Sequence, residues 1–520
     1  MSARVRVRVI AALAAALLAG CAAINPYHAA PIAEWLTRAD TLGDCSRRLR
    51  EIDARIDALG VRDAMAPRVP GFPYLRVDRF SERLAGSAPA APWTERLSEL
   101  DRQARLVEFA NSGLSGADWA ALEACRPHFT AADRDRFEAL RQAAVVPDDY
   151  STGLRAFGLY PLTKLAFASG IRGLQGKTRR AFETPLEALP RAGELVRYVS
   201  MAPRDTASLG GVAALPLEES TAGPSDEKPG LPPADALGVP RLSRALGWQL
   251  LAQHAPSLVV DTASDNDRLG SLMWRTVADV RRVAVDTGAP AAYARIAYAQ
   301  LGGAVRVQLV YTFWFPARPP EGSFDVLAGP LDGVVWRVTL GRSAEGDYVP
   351  LVYDTIHPCG CYHMFFPTLR VQARPQPDTL DEGMFAPQVA PEPADGERIV
   401  LRVASRTHYL QRVTAEPGAA QGSPYALRDD DELRLLPLPA SSEHMPGQVA
   451  TRSVFGPDGL IAGSERAERF YFWPMGIASA GQMRQWGRHA TAFVGRRHFD
   501  DPLLFDRYFV IRDPQISDPR

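Results

Sequence analysis

Lysine is nearly missing from this 520-residue chain: Lys164, Lys177 and Lys228 are the only three, and arginine supplies every other side-chain cation. Schiff-base chemistry, which needs a lysine amine, is left with few candidates. Cysteine is scarce at five residues and histidine at nine. There is no internal repeat, no P-loop, no GxGxxG after a strand, and no HExxH, CxxC or GxSxG, so no recognised catalytic signature is present. A basic surplus is missing too, since 59 Lys and Arg stand against 60 Asp and Glu. That balance excludes a nucleic-acid partner on charge grounds. What the chain does have is 46% apolar residues, ample for packed cores. Its length suggests about three domains.

The front end carries a targeting signal. Arg4, Arg6 and Arg8 precede an apolar run from Val9 to Ala19, too short for the roughly 20 residues that span a bilayer. The run ends in Leu18-Ala19-Gly20-Cys21. These four residues resemble the lipobox of bacterial lipoproteins, which implies that residues 1–20 are a signal peptide and that Cys21 is lipidated as the first mature residue. In that family an Asp after the Cys favours the inner membrane; here position 22 is Ala. The resemblance therefore implies a lipid anchor on the periplasmic side of the outer membrane. An ordinary secretory signal with a chance Cys is the plainer alternative, and it exports the body equally. Beyond the leader, the chain resembles only proteobacterial lipoproteins of uncharacterised function, with no family residues to carry over. Without the leader the balance is 56 basic against 60 acidic residues.

The pattern along the chain predicts an α+β protein. Residues 21–32 read as a lipidated tether, 33–150 as a helical bundle, 151–256 as a mixed helical and linker region, and 257–520 as a larger, mainly antiparallel β-rich domain with a C-terminal helical segment. Leu42, Cys45, Leu49, Ile52, Ile56 and Leu59 recur at three and four, an amphipathic seam closed by Gly60. Trp93, Leu97, Leu100, Ala104 and Val107 repeat that spacing. Thr130 with Asp133 suggests a cap for a helix over 131–145. The Pro- and Gly-rich stretch 69–80 reads as a link over the bundle surface. Residues 153–174 suit a buried core helix broken at Pro161, or alternatively a helix pressed on a membrane face. Residues 217–240 read as an exposed linker.

From 257 the period becomes two. Over 304–316 Val305, Val307, Leu309, Tyr311, Phe313 and Phe315 face one way, with Arg306, Gln308, Thr312 and Trp314 opposite. Residues 333–341, 348–356, 398–413 and 468–474 are further strand candidates, and the first half of 479–502 is read as helical.

Chemistry concentrates in one heptapeptide, "HPCGCYH", at 357–363. With Cys21 lipidated, Cys45, Cys125, Cys359 and Cys361 remain, and in an oxidising compartment three pairings are possible. Cys45 with Cys125 would join two helices and close a loop of about 80 residues, worth ~4 kcal/mol. Cys359 with Cys361 would close a very small, easily reduced ring. Alternatively His357, Cys359, Cys361 and His363, helped by His489 or His498, offer soft and imidazole ligands for Zn or Cu. A nucleophilic Cys beside His357 or His363, or a structural turn, are the other readings. His408 reads as an ordinary hydrogen-bonded or surface histidine. Asp325, Asp332 and Asp354 fall at strand ends, where functional residues often occur. Asp261, Asp265 and Asp267 crowd one loop, which either chelates a hard cation such as Ca²⁺ or is simply turn chemistry. The expectation is an anchored envelope component, non-enzymatic and structurally disulfide-bonded, that binds a protein or small-molecule partner; the alternative is a metal or thiol-redox protein using the heptapeptide.

Overall fold

The computed structural model describes residues 25–133, 135–201, 234–418, 421–439 and 450–516. The leader, Cys21 and most of the 217–240 linker lie outside the described residues. The architecture is α+β, with helices concentrated in the N-terminal third and one large sheet beyond them.

Three helices frame the first region: α1 (Thr41–Ala58), α2 (Ala90–Ser112) and α3 (Gly116–Ala132). The Asp40 carboxylate caps α1 by accepting the Gly43 N–H, and the three-four spacing buries Cys45, Leu49, Ile52 and Ile56. A capping box between Ser115 and Asp118 starts α3. Cys45 and Cys125 form a disulfide with Cα atoms 5.5 Å apart, tying α1 to α3. Thr130 lies inside α3 instead of capping a helix, and the next helix covers only Phe137–Ala143.

Two expectations fail here because loop-like composition concealed burial. The 69–80 stretch is no surface link: Phe72–Arg76 is a fully buried strand paired with Arg68–Val69. Its Phe72, Tyr74 and Leu75 fill the core of the bundle. Nor is 21–32 all tether, since Tyr27 is buried and donates its hydroxyl to Asp53 at 2.7 Å. The packed fold is already under way at Asn25, which caps the turn Pro26–His28.

The sheet has ten strands: β1 (Glu194–Ser200), β2 (Ser257–Thr262), β3 (Ala291–Leu301), β4 (Ala304–Arg318), β5 (Gly329–Arg342), β6 (Tyr348–Ile356), β7 (Met364–Pro367), β8 (Glu397–Val403), β9 (Leu410–Pro417) and β10 (Ser423–Asp429). Their spatial order is β7-β6-β5-β4-β3-β10-β1-β2-β8-β9. Pairing is antiparallel from β7 through β3, while β3–β10, β10–β1 and β2–β8 are parallel. The apolar face of β4 packs into the main core, as its alternation predicts. Its polar face is covered as well: Arg306, Gln308 and Trp314 are all buried, and Gln308 donates to Thr339 across the sheet.

Three later segments depart from their patterns. Residues 398–413 split into β8 and β9 around a turn at 404–409. Residues 468–474 form the short helix Arg469–Phe472 and a 3-10 turn Trp473–Met475 in place of a strand. Residues 479–502 form turns and no helix; Leu504–Tyr508 is the C-terminal helical segment. Short aromatic runs carry no period long enough to tell strand from helix. The 153–174 stretch is helical but not buried. It belongs to α4 (Tyr160–Glu183), preceded by the helix Thr152–Phe157, and the break is at Leu159 with φ 48. Pro161 sits in the first turn of α4, where a missing N–H breaks no bond.

Candidate functional site

The heptapeptide is a closed turn. The His357 N–H reaches Cys361 O at 2.9 Å and the Gly360 N–H reaches His357 O at 2.7 Å. Gly360 has φ 94, and a Cβ there would lie 2.5 Å from Ala490 O, so only glycine fits. Tyr362, at φ 60, then redirects the chain so that the two histidines serve different carboxylates. His357 Nδ1 meets Asp332 at 3.3 Å, whereas His363 Nε2 meets Asp354 at 2.8 Å beside Arg337. His489 Nε2 donates to Pro358 O at 3.1 Å, and His498 faces Asp148 at 3.2 Å.

The six residues offered as a Zn or Cu set are thus pulled apart. Among the described residues no group of three or more His, Cys, Asp or Glu is placed to hold a metal. Extended backbone would have aligned the ligands; the turn separates them. Asp261 accepts the N–H groups of Ala192 and Gly193, and Asp267 those of Ala263, Ser264 and Arg406, so that loop's acids serve as turn ties. Cys359 and Cys361 are free thiols that hydrogen-bond each other, and that bond together with burial pushes the Cys361 pKa well up. A raised pKa disfavours the thiolate that a nucleophile requires.

Around Asp332, in β5, a different cluster forms. Its carboxylate receives His408 Nδ1 at 2.9 Å, Arg466 Nη2 at 3.1 Å and His357 Nδ1. On its far side His408 Nε2 lies 3.4 Å from Asp267, and its ring stacks on Phe315 at 4.1 Å. The order is therefore Asp267, His408, Asp332, His357, drawn from the turn after β2, the β8–β9 turn, β5 and the end of β6. His357 packs against Tyr362 and Tyr409, whose hydroxyls touch, and the Arg318 guanidinium lies over Tyr409 at 5.1 Å.

Burial alone would neutralise these groups, but their neighbours decide otherwise. It opposes the charge on Asp332, yet Arg466 and the two histidines hold that carboxyl well below its usual range. Burial likewise lowers His408, but Asp267 and Asp332 together raise it, which favours the imidazolium. His357 goes down, because burial with Arg466 and Arg318 outweighs its single carboxylate partner. A neutral His357 with Nδ1–H on Asp332 presents the lone pair of Nε2, which bonds nothing among the described residues. Glu468 is lifted to about 7 by burial, partly offset by Arg466 and Arg318. Its carboxyl sits against Gly481, where a Cβ would come within 1.8 Å.

Two further features mark this cluster. Leu331, Tyr362, Arg406 and His408 all adopt positive φ, four of the eight non-glycine residues that do so among the described residues. Such strain persists where surrounding structure enforces it, and it gathers at functional sites. Arg318 is buried, forms no ion pair among the described residues, and leaves Nε without an acceptor. Of the sequence candidates, His357 and Asp332 are at this centre; Asp354 and His363 form a separate pair, and Asp325 is a turn former that accepts the Leu327 N–H. His408, read as ordinary, links two carboxylates. Arg318, Tyr362, Tyr409, Arg466 and Glu468 went unnoticed; the one available hint was the crowding of Arg and Glu in "GSERAERF".

No family model matches the chain, and no curated protein and no solved structure matches it.

Proposed function

We propose that this is a lipid-anchored envelope protein on the periplasmic side of the outer membrane, and that its β domain binds a small anionic ligand beside Arg318 and His357. The observation that carries the ligand reading is Arg318: its guanidinium is buried over the Tyr409 ring, forms no ion pair among the described residues and leaves Nε without an acceptor, a donor that an incoming anion would satisfy. Glu468 in its protonated form donates to the ligand, His357 Nε2 accepts only from an anion that keeps a proton, such as hydrogen phosphate, and Tyr362 and Tyr409 pack on His357 beside it. The anchor reading rests on the lipobox. No helix among the described residues is long and apolar enough to cross a membrane.

Acetate, succinate and inorganic phosphate serve as probes. One or more should raise the melting temperature of the wild type in a saturable way and leave Arg318→Gln unmoved. No shift with any of the three, or equal shifts in the variant, removes the anion reading. Mass spectrometry of the membrane-extracted protein should find an acylated Cys21; an intact leader would end the anchor reading.

A second reading has its own observation, the adjacent free thiols of Cys359 and Cys361 lining a small pocket with Ala490, Thr491 and Phe493. In a thiol-disulfide exchange the pair would lose two protons and two electrons to a substrate disulfide, which leaves as two thiols. Thiol counts with and without reductant, together with bound-metal analysis, test it. Metal at stoichiometry, lost in Cys359→Ser, would instead restore a metal role.

A further inference from the structure

Helix α4 exposes what helices ordinarily bury. Phe157, Leu159, Leu162 and Leu165 are each more than half exposed, Leu162 at 66%. Phe470 and Tyr471 extend the patch, because their short helix packs on α4 through Phe472 and Phe167, with rings 5.4 Å apart. Apolar side chains gathered this way mark a surface that meets something. The same helix carries Lys164, Arg172, Lys177, Arg179 and Arg180, and its one acidic residue is Glu183 at the last position. None of these five cations makes an ion pair among the described residues. Two of the three lysines in an otherwise near-neutral chain are on this one element. Beyond Leu165 the exposed side alternates Gly170 and Gly173, which have open space around them, with the exposed Leu174 and the cations.

We propose that α4, with Phe157, Leu159, Phe470 and Tyr471, lies flat on an anionic lipid bilayer, its apolar residues in the headgroup boundary and its cations on the lipid phosphates. Apolar burial combined with basic attraction is how amphipathic helices hold to membrane surfaces. A second copy of the chain fits less well, because it would press like charges together. Cys21 is four residues before Asn25, so an acyl group there would hold Asn25 within about 14 Å of a bilayer. For that distance alone the inference rests on the lipoprotein reading; the helix contacts need no acyl group.

The test uses the chain beginning at Ala22, which keeps every described residue and lacks the lipidated cysteine. Wild type should sediment with vesicles of phosphatidylethanolamine and phosphatidylglycerol, less with phosphatidylcholine alone, and progressively less as salt is added. Leu162→Glu/Leu165→Glu and Lys164→Glu/Lys177→Glu should each weaken that binding at least about tenfold with unchanged circular dichroism. Absence of wild-type binding at low salt overturns the proposal, as does binding by both double variants equal to that of the wild type. A concentration-dependent dimer that the leucine variant dissolves would assign the face to a second copy and overturn it too. The acyl group on Cys21 is measured separately, so either reading can fail without the other.

Discussion

Two buried charge clusters in this molecule use the same residue types to opposite ends. In the helical region Arg76 and Arg105 engage every guanidinium nitrogen with protein acceptors, among them Asp101, Asp53, Glu108 and the carbonyls of Asp63, Ala66 and Pro73. Asp53 takes Arg105 on one oxygen and Tyr27 on the other. In the β domain, Arg318 Nε has no acceptor, His357 Nε2 is unengaged and burial lifts the Glu468 carboxyl to about 7. The first cluster is saturated at Arg76 and Arg105, and even Arg68, whose Nε and Nη2 lack a hydrogen-bond acceptor, is ion-paired with Asp53, Asp57 and Glu108; Arg318 in the second cluster has no ion pair among the described residues. The backbone agrees, since positive φ at non-glycine residues gathers at the second cluster and none occurs at the first.

The contrast breaks most visibly in the saturated cluster. Arg105→Ala strands Asp53 and Asp101 in the core, and urea unfolding should show a loss of about 3–5 kcal/mol. Removing the covalent tie nearby, with Cys45→Ala/Cys125→Ala, should cost about 2–4 kcal/mol in the same measurement, read against oxidised wild type. In the unsaturated cluster the effect is pH-dependent. Glu468 titrates at about 7 when folded but ionises at ordinary acidic pH when unfolded, so its contribution is full in acid and is lost as pH rises through 7. Glu468→Gln should flatten that decline, gaining on the order of 2 kcal/mol over wild type at pH 8 and little at pH 4. An unchanged pH profile would show the carboxyl to be solvated and the contrast to be overstated. Smallest of all, Leu162→Ser on the exposed face of α4 should change stability by less than about 0.5 kcal/mol, because nothing in the fold covers it.

Legibility followed the range of the signal. The seam from Cys45 to Ile56 and the alternation over 304–316 were readable because helix and strand periods are written within a few neighbouring residues. The Cys45–Cys125 pairing was accessible because thiol scarcity left few partners. Burial was not accessible: Phe72–Arg76 carries proline yet is buried, and α4 buries Ala168 and Phe182 yet leaves Leu162 and Leu165 exposed. Local pattern says which face is apolar, not whether another element will cover it. The heptapeptide drew attention for its composition, and its His357 does join the Asp332 cluster, but one turn at Gly360 and Tyr362 undid the ligand geometry that its spacing suggested.

What the sequence determined on its own was therefore periodic and local: amphipathic helices followed by long strands, and an isolated run of two thiols between two histidines. Tertiary structure alone decided that Asp267, Arg318, Asp332, His357, His408 and Glu468 meet. Those six come from separate turns and strand ends spread over about two hundred residues, and no spacing rule reaches across them; only the strand order β6-β5-β4, with the β8–β9 turn folded over its end, closes the distance.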